Sequence, residues 1–309
     1  MRTSELRRLI TAARGRLPGW VEVTPLVRAP DLTEITGGEV WLKLENRQVT
    51  GAFKLRGAAN RLLATSGEGA PEEVVTASTG NHGAAVLTVA RRLGIRATVV
   101  APRGITGAKR ERLEALGAEV ILRGDDCMVA ETHARELAAA RGLPYVSPYN
   151  DPEVIAGQGT IAVELGEQLE SVDAVLVPVG GGGLISGVAA WIDGIWPRTE
   201  IVGCQPAASA VMAASVEAGR ILPDDSMPTL SDATAGGVEA GSVTFDLCRR
   251  LVARWVRVSE ATIGAAMEHH HRRHGETVEG AGALPLAALL AEPERYRGRR
   301  VVLIVSGGN

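Results

Sequence analysis

From Val40 onward, short runs rich in Val, Ile and Leu alternate with longer stretches of helical period, and that alternation admits little besides an α/β architecture. A β-run followed by a helix returns the chain parallel to itself, and repeats of this unit build a parallel sheet covered on both faces. The pattern predicts strands at 40–44, 74–77, 97–101, 119–122, 174–179, 201–204, 255–258 and 301–305, and helices at 54–64, 82–93, 108–116, 154–169 and 260–273. Residues 1–17 read as an amphipathic first helix, because Glu5 interrupts a basic run that a transit peptide would keep free of acid.

A chain of 309 residues suits two packed lobes. No repeat and no low-complexity linker separates two halves, so a second lobe must be inserted or tightly packed rather than tethered. Hydrophobic residues make up 45% and charged residues 22%, which allows a large core. The net charge of -3 offers no field for nucleic acid or an anionic membrane surface, and neither is expected as a partner. Cys127, Cys204 and Cys248 have no disulfide or zinc spacing, which fits a reducing, cytoplasmic compartment. Residues 104–107 and the Gly/Pro/Asp-rich residues 222–241 are the segments best suited to face a ligand.

Four places stand out chemically. In Thr50-Gly51-Ala52-Phe53-Lys54-Leu55-Arg56-Gly57, a lysine follows a turn and opens a helix; such an amine, once desolvated, loses proton affinity and becomes a nucleophile, although a solvated first-turn lysine has the same pattern. Ser78-Thr79-Gly80-Asn81-His82-Gly83 joins a strand to a helix at the carboxyl end of the strand, where open α/β sheets bind ligands; a plain capped helix start is the alternative. Gly180-Gly181-Gly182-Gly183-Leu184 also joins strand to helix. Four glycines cost much backbone entropy, and bare N–H groups at a helix N-terminus attract phosphate. The run lacks Gly-x-Gly-x-x-Gly spacing and a Walker lysine, which disfavours a nucleotide. Finally, Ser306-Gly307-Gly308-Asn309 follows an apolar strand, so a ligand-facing turn is preferred to a frayed tail.

His269, His270, His271 and His274 lie in one helical pattern, with His270 and His274 at the i, i+4 spacing of a metal pair. Without a completing ligand motif, and with Arg272 and Arg273 beside them, they are read as a solvated helix face, and no metal ligand is assigned.

Taken in order, these four motifs resemble the fold type II pyridoxal-phosphate enzymes, the tryptophan synthase β-like class, and most nearly threonine dehydratase and serine racemase. Thr24-Pro25-Leu26, Lys43-Leu44-Glu45 and Val154-Ile155-Ala156-Gly157-Gln158-Gly159-Thr160 extend the resemblance over nearly the whole chain. It implies two open, twisted, mostly parallel-sheet domains with pyridoxal 5'-phosphate between them: a large one from 1–69 plus 150–309 and a small inserted one at 70–149. Lys54 matches the lysine that bonds the cofactor, beside Phe53. Asn81 matches the partner of the ring hydroxyl, and Gly180, Gly181, Gly182, Gly183 and Leu184 match the phosphate cradle. Ser306 matches the residue facing the pyridine nitrogen, where a hydroxyl leaves that nitrogen largely unprotonated and disfavours transamination; Gly237 and Glu279 complete the cofactor set. Ser78, Thr79, Gly80, Asn81 and His82 match the turn that receives the substrate carboxylate, and Tyr149 stands near the substrate where racemases have asparagine.

The activity so implied is elimination of water and ammonia from a small β-hydroxy L-amino acid such as threonine or serine, with Lys54 as general base, giving a 2-keto acid. Thr79 stands where racemases carry the serine that acts on the opposite face of Cα, so an amino-acid racemase is the alternative. Ser231-Asp232 and Gly236-Gly237 look most like the hydroxyectoine-utilisation dehydratase branch, which makes a substrate derived from hydroxyectoine credible. Gln205, Ser209 and Val211 occupy the racemase divalent-metal position without its carboxylates, so no magnesium or calcium is expected there. β-Replacement and a binding module without turnover are disfavoured, a homodimer is implied, and feedback control by isoleucine is not expected.

Overall fold

The computed structural model describes residues 1–65, 71–125 and 127–308. Asn309 of the terminal motif, and the 69/70 junction between the expected domains, lie outside the described residues. The chain begins with α1 (Thr3–Arg16), β1 (Leu26–Arg28), α2 (Pro30–Thr36), β2 (Glu39–Leu44) and α3 (Lys54–Ala64). Alternating units follow as β3 (Glu73–Ala77), α4 (Asn81–Leu93), β4 (Arg96–Ala101), α5 (Gly107–Ala115), β5 (Glu119–Leu122) and α6 (Cys127–Arg141). Next come α7 (Pro152–Gln168), β6 (Ala174–Pro178), α8 (Gly183–Ile195), β7 (Glu200–Pro206) and α9 (Val211–Ala218). The last elements are α10 (Val243–Leu251), β8 (Arg254–Val258), α11 (Glu260–His269), α12 (Gly280–Ala291) and β9 (Arg300–Val305).

The larger sheet has the order β1-β2-β9-β6-β7-β8 and the smaller the order β3-β4-β5. All pairings are parallel except that of β1, where Leu26 opposes Lys43 across an antiparallel edge. The fold is therefore α/β, and every strand expected from the sequence is present. β1 was not expected: three residues after Pro25 are too few to show alternation. α12 was also illegible, because a helix buried on all sides from Gly280 to Leu289 has no apolar stripe. It packs its Leu284, Leu286 and Leu289 into one core with Leu42, Leu176 and Leu303 of the large sheet.

Helix ends follow local chemistry. Asp151 caps α7 by accepting from the N–H groups of Glu153 at 2.8 Å and Val154 at 3.1 Å, with Pro152 in the first turn. α7 and α3 touch backbone to backbone, since a Cβ on Gly157 would strike the carbonyl of Arg56 and Gly57 Cα. The Ala-Gly-Gln-Gly portion of α7 is thus explained by close helix packing.

Beneath that contact lies a buried ion network. Arg56, fully buried, reaches Glu45 at 2.8 Å and Glu164 at 2.6 Å, while Lys43 reaches Glu164 at 2.5 Å and the Thr24 carbonyl at 2.8 Å. Burial pulls the Lys43 ammonium below its ordinary value and the two carboxylates partly restore it, whereas the carboxylates outweigh burial at Arg56 and raise it. Thr24, Lys43 and Glu45 of the early motifs thereby anchor the helix that begins at Lys54.

The expected helix 260–273 is corrected. α11 ends at His269 and a π-helical turn, His270–His274, follows. His270 is 0% exposed, so the solvated-face reading fails there; His271 is exposed as that reading required.

Candidate active site

In the large sheet, β9 and β6 are neighbours from which the strand order runs outward in opposite directions, and ligands of open α/β sheets bind at such a switch point, beyond the carboxyl ends of the strands. β9 delivers Ser306 there, β6 the glycine run, and β3 of the small sheet delivers Ser78. All three line one cavity of about 350 Å³, within the usual range for a small-ligand site.

The lysine turn and the terminal motif hold each other. The Phe53 N–H donates to the Ser306 carbonyl at 3.0 Å, the Gly308 N–H to the Gly51 carbonyl at 3.0 Å, and Ala52 bridges Gly307. These bonds explain why Ser306-Gly307-Gly308 is no frayed tail. Lys54 projects its Nζ into the cavity, 2.8 Å from the Pro148 carbonyl and 5.2 Å from the centre of the Phe53 ring. Burial lowers its pKa from 10.5 to about 8, against the opposing pull of Glu131 and Glu279. At pH 7 about one amine in ten is then neutral and nucleophilic, compared with about one in three thousand for an ordinary lysine. Covalent capture of an aldehyde by the apoprotein is therefore expected to accelerate as pH rises and to level off above about 8. A stopped-flow profile still rising near 10 would contradict this.

The glycine run is shaped as much by protein as by any ligand. Gly182 has φ +85, and a Cβ there would meet Met212, Cys248 and Thr244 at about 3 Å. A Cβ on Gly181 would strike the Tyr149 ring, and the Thr244 hydroxyl donates to the Gly181 carbonyl at 2.6 Å. With the side-chain directions filled, the amides are what the loop presents. The first bond back into α8 is Ser186 N–H to the Gly182 carbonyl, so the Gly183, Leu184 and Ile185 amides have no helical acceptor. No acidic residue occupies that first turn.

In the second turn, Ser78 Oγ accepts from Gly80 N–H at 3.3 Å, and Thr79 lies on the cavity wall. The His82 and Gly83 amides precede the first α4 bond, Ala84 N–H to the Gly80 carbonyl, at a second helix start on the cavity. The Asn81 side-chain amide donates to both Glu279 oxygens, at 2.9 and 3.0 Å, joining the start of α4 to the start of α12 at the cavity. Burial raises the Glu279 carboxyl above its ordinary value, opposed by that bond. Two further expected site residues, His82 and Tyr149, also line the cavity. The His82 imidazole is buried with Nε2 3.1 Å from the Val146 carbonyl, and burial with Lys54 nearby brings it to about 3, so it offers no positive charge to a carboxylate. The Tyr149 hydroxyl accepts from the Glu239 N–H at 3.0 Å, and its ring supports the glycine run.

Glu131 was missed. It lies on α6 against the cavity, where burial pushes its carboxyl up to about 7 and neighbouring Glu239 adds to the rise, while Arg135 opposes it. Nothing around Glu131 in the sequence separates it from an ordinary solvated helix glutamate. From the loop 222–241, Asp232, Thr234 and Gly237 do line the cavity. Gln205 and Ser209 are engaged elsewhere, Gln205 with the Val179 carbonyl and Ser209 with Ser226.

The model of the pyridoxal-phosphate dependent enzymes matches residues 18–307. The chain belongs to that family. An L-threonine ammonia-lyase of Thermotoga maritima is 41% identical over 300 residues, covering 97% of this chain and 74% of that protein. Among solved structures, the processed threonine deaminase isoform 2 of Solanum lycopersicum superposes with TM-score 0.93 at 35% identity, covering 100% of this chain and 86% of that one. Maize serine racemase superposes with TM-score 0.91 at 33% identity, covering 98% and 93%. Membership makes the fold type II and the cofactor pyridoxal phosphate. The site fits that cofactor on its own geometry: a phosphate-ready glycine cradle with free amides, a partly desolvated lysine, and Ser306 line one cavity.

Proposed function

We propose that the chain is an ammonia-lyase that dehydrates and deaminates a small β-hydroxy L-amino acid, threonine or serine, to a 2-keto acid and ammonia. The observation that carries this is the Lys54 amine, poised near pH 8 in a cavity where the start of α8 offers free amides. Pyridoxal phosphate, when bound, supplies an electron sink that acidifies Cα–H and lets a group on Cβ leave. Gly180 to Leu184 would hold its phosphate, Lys54 its aldehyde carbon, Asn81 its ring hydroxyl and Ser306 its ring nitrogen, with Phe53, Gly237 and Glu279 enclosing it. Because Ser306 carries no charge, it favours a neutral ring nitrogen and prompt elimination over transamination.

The turn from Ser78 through Thr79 and Gly80 to the amides of Asn81 and His82 binds the substrate carboxylate. Lys54, once displaced by the substrate amine, takes the Cα proton at Nζ. Glu131 raises the proton affinity of Nζ and keeps it a competent base. Tyr149 and the residues around Gly237 limit the substrate side chain. The two-lobed division at 1–69 plus 150–309 and 70–149, a homodimeric assembly and a cytoplasmic location belong to the same reading; the separate sheet of β3, β4 and β5 supports the first of these.

A racemase is the second reading, favoured by the Thr79 hydroxyl on the cavity wall and by the likeness to maize serine racemase. Chiral analysis of products from L-serine, L-threonine and a hydroxyectoine-derived β-hydroxy amino acid separates the two. We expect keto acid from at least one of them, with Thr79→Ala retaining most of that activity. D-enantiomer formation that disappears in Thr79→Ala would establish the racemase instead.

A further inference from the structure

A second cluster lies outside the cavity, where the end of α11 meets the first turn of α2. His269 Nε2 lies 2.6 Å from Asp31 Oδ2 and His274 Nε2 lies 3.7 Å from the same oxygen. One donor atom from each of the three residues falls within 4.8 Å of the others. The π-helical turn makes this possible. In a regular α-helix, residues 269 and 274 would point about 140° apart, whereas the i→i+5 geometry brings their ring centres to 5.5 Å.

Beside them stands His270, 0% exposed, its ring centre 5.5 Å from that of His274. Neither His270 nitrogen has a hydrogen-bond partner among the described residues, nor has His274 Nε2. Buried polar atoms are nearly always paired, so the unpartnered His274 Nε2 facing the Asp31 carboxylate points to a missing cation.

We propose that Asp31, His269 and His274 bind a transition-metal dication of the zinc class. Two imidazoles and one carboxylate suit zinc, cobalt or nickel and do not suit magnesium or calcium, which prefer all-oxygen sites. Ligands held at ~2.1 Å in a tetrahedron stand ~3.4 Å apart, so the 3.7 Å separation needs little change and the His269–Asp31 hydrogen bond opens to admit the ion. The ion ties α2 to α11 and steadies the segment that leads to Glu279, in which the Glu276 N–H donates to the His270 carbonyl at 3.2 Å and Glu276 accepts from Asn46 at 2.7 Å.

The test is a titration of metal-stripped holoenzyme with Zn²⁺ against a chromophoric chelator, with thermal unfolding measured in parallel. We expect one tight equivalent per chain and a zinc-dependent rise in the unfolding temperature. Affinity should fall by roughly 100-fold or more in His274→Ala and in the partly exposed His269→Ala, and should hold in His271→Ala. No tight equivalent on the wild type, or an equivalent that survives the His269→Ala/His274→Ala double variant, would overturn the proposal.

Discussion

Lys54→Ala is expected to lower kcat by about 10⁴-fold or more, because in the proposed mechanism it removes both the group that bonds the cofactor and the base that takes the Cα proton. The same variant should lack the visible absorbance band of lysine-bound cofactor. It should still take up pyridoxal phosphate noncovalently, since the glycine cradle on β6–α8 is built without Lys54. Absorbance spectra of the two proteins reconstituted in parallel check this. A wild-type band retained by the variant would place the covalent site on another lysine.

The second large effect concerns stability. Arg56→Met leaves Glu45 and Glu164 buried and shares between them only Lys43, so unfolding free energy should drop by roughly 3–5 kcal/mol, the cost of stranding a buried charge. Arg14→Met, which breaks the exposed pair with Glu167 at 3.0 Å, should cost less than about 1 kcal/mol. Urea midpoints of the two variants measured side by side decide the matter. Equal losses would mean that the network under α3 is not the anchor described above.

Much of this was legible in the sequence because the signals were local. Val301 to Val305 reads as a central strand from its unbroken apolar run, and Lys54 to Ala64 as a helix from its period. Motifs at strand ends were legible as a site because parallel strands bring their carboxyl ends to one edge. What escaped depended on partners distant in the chain. Glu131 acquires its raised pKa from burial against elements far from α6. The His82 ring places Nε2 against the Val146 carbonyl, a partner 64 residues away. The four glycines invited a single explanation, close approach of phosphate, whereas Tyr149, Thr234 and Met212 each require one of them. His270 reads as solvent-facing from the helical pattern yet is fully buried, because a π turn changes the period on which that pattern rests.

The most direct test of the proposed chemistry is parallel measurement of 2-keto acid and ammonia released from L-threonine and L-serine by the purified holoenzyme. β-Elimination requires the two products in a 1:1 ratio from at least one of these substrates, with no D-amino acid accumulating. Turnover to the D-enantiomer without ammonia, or no product from either amino acid, would contradict the proposal.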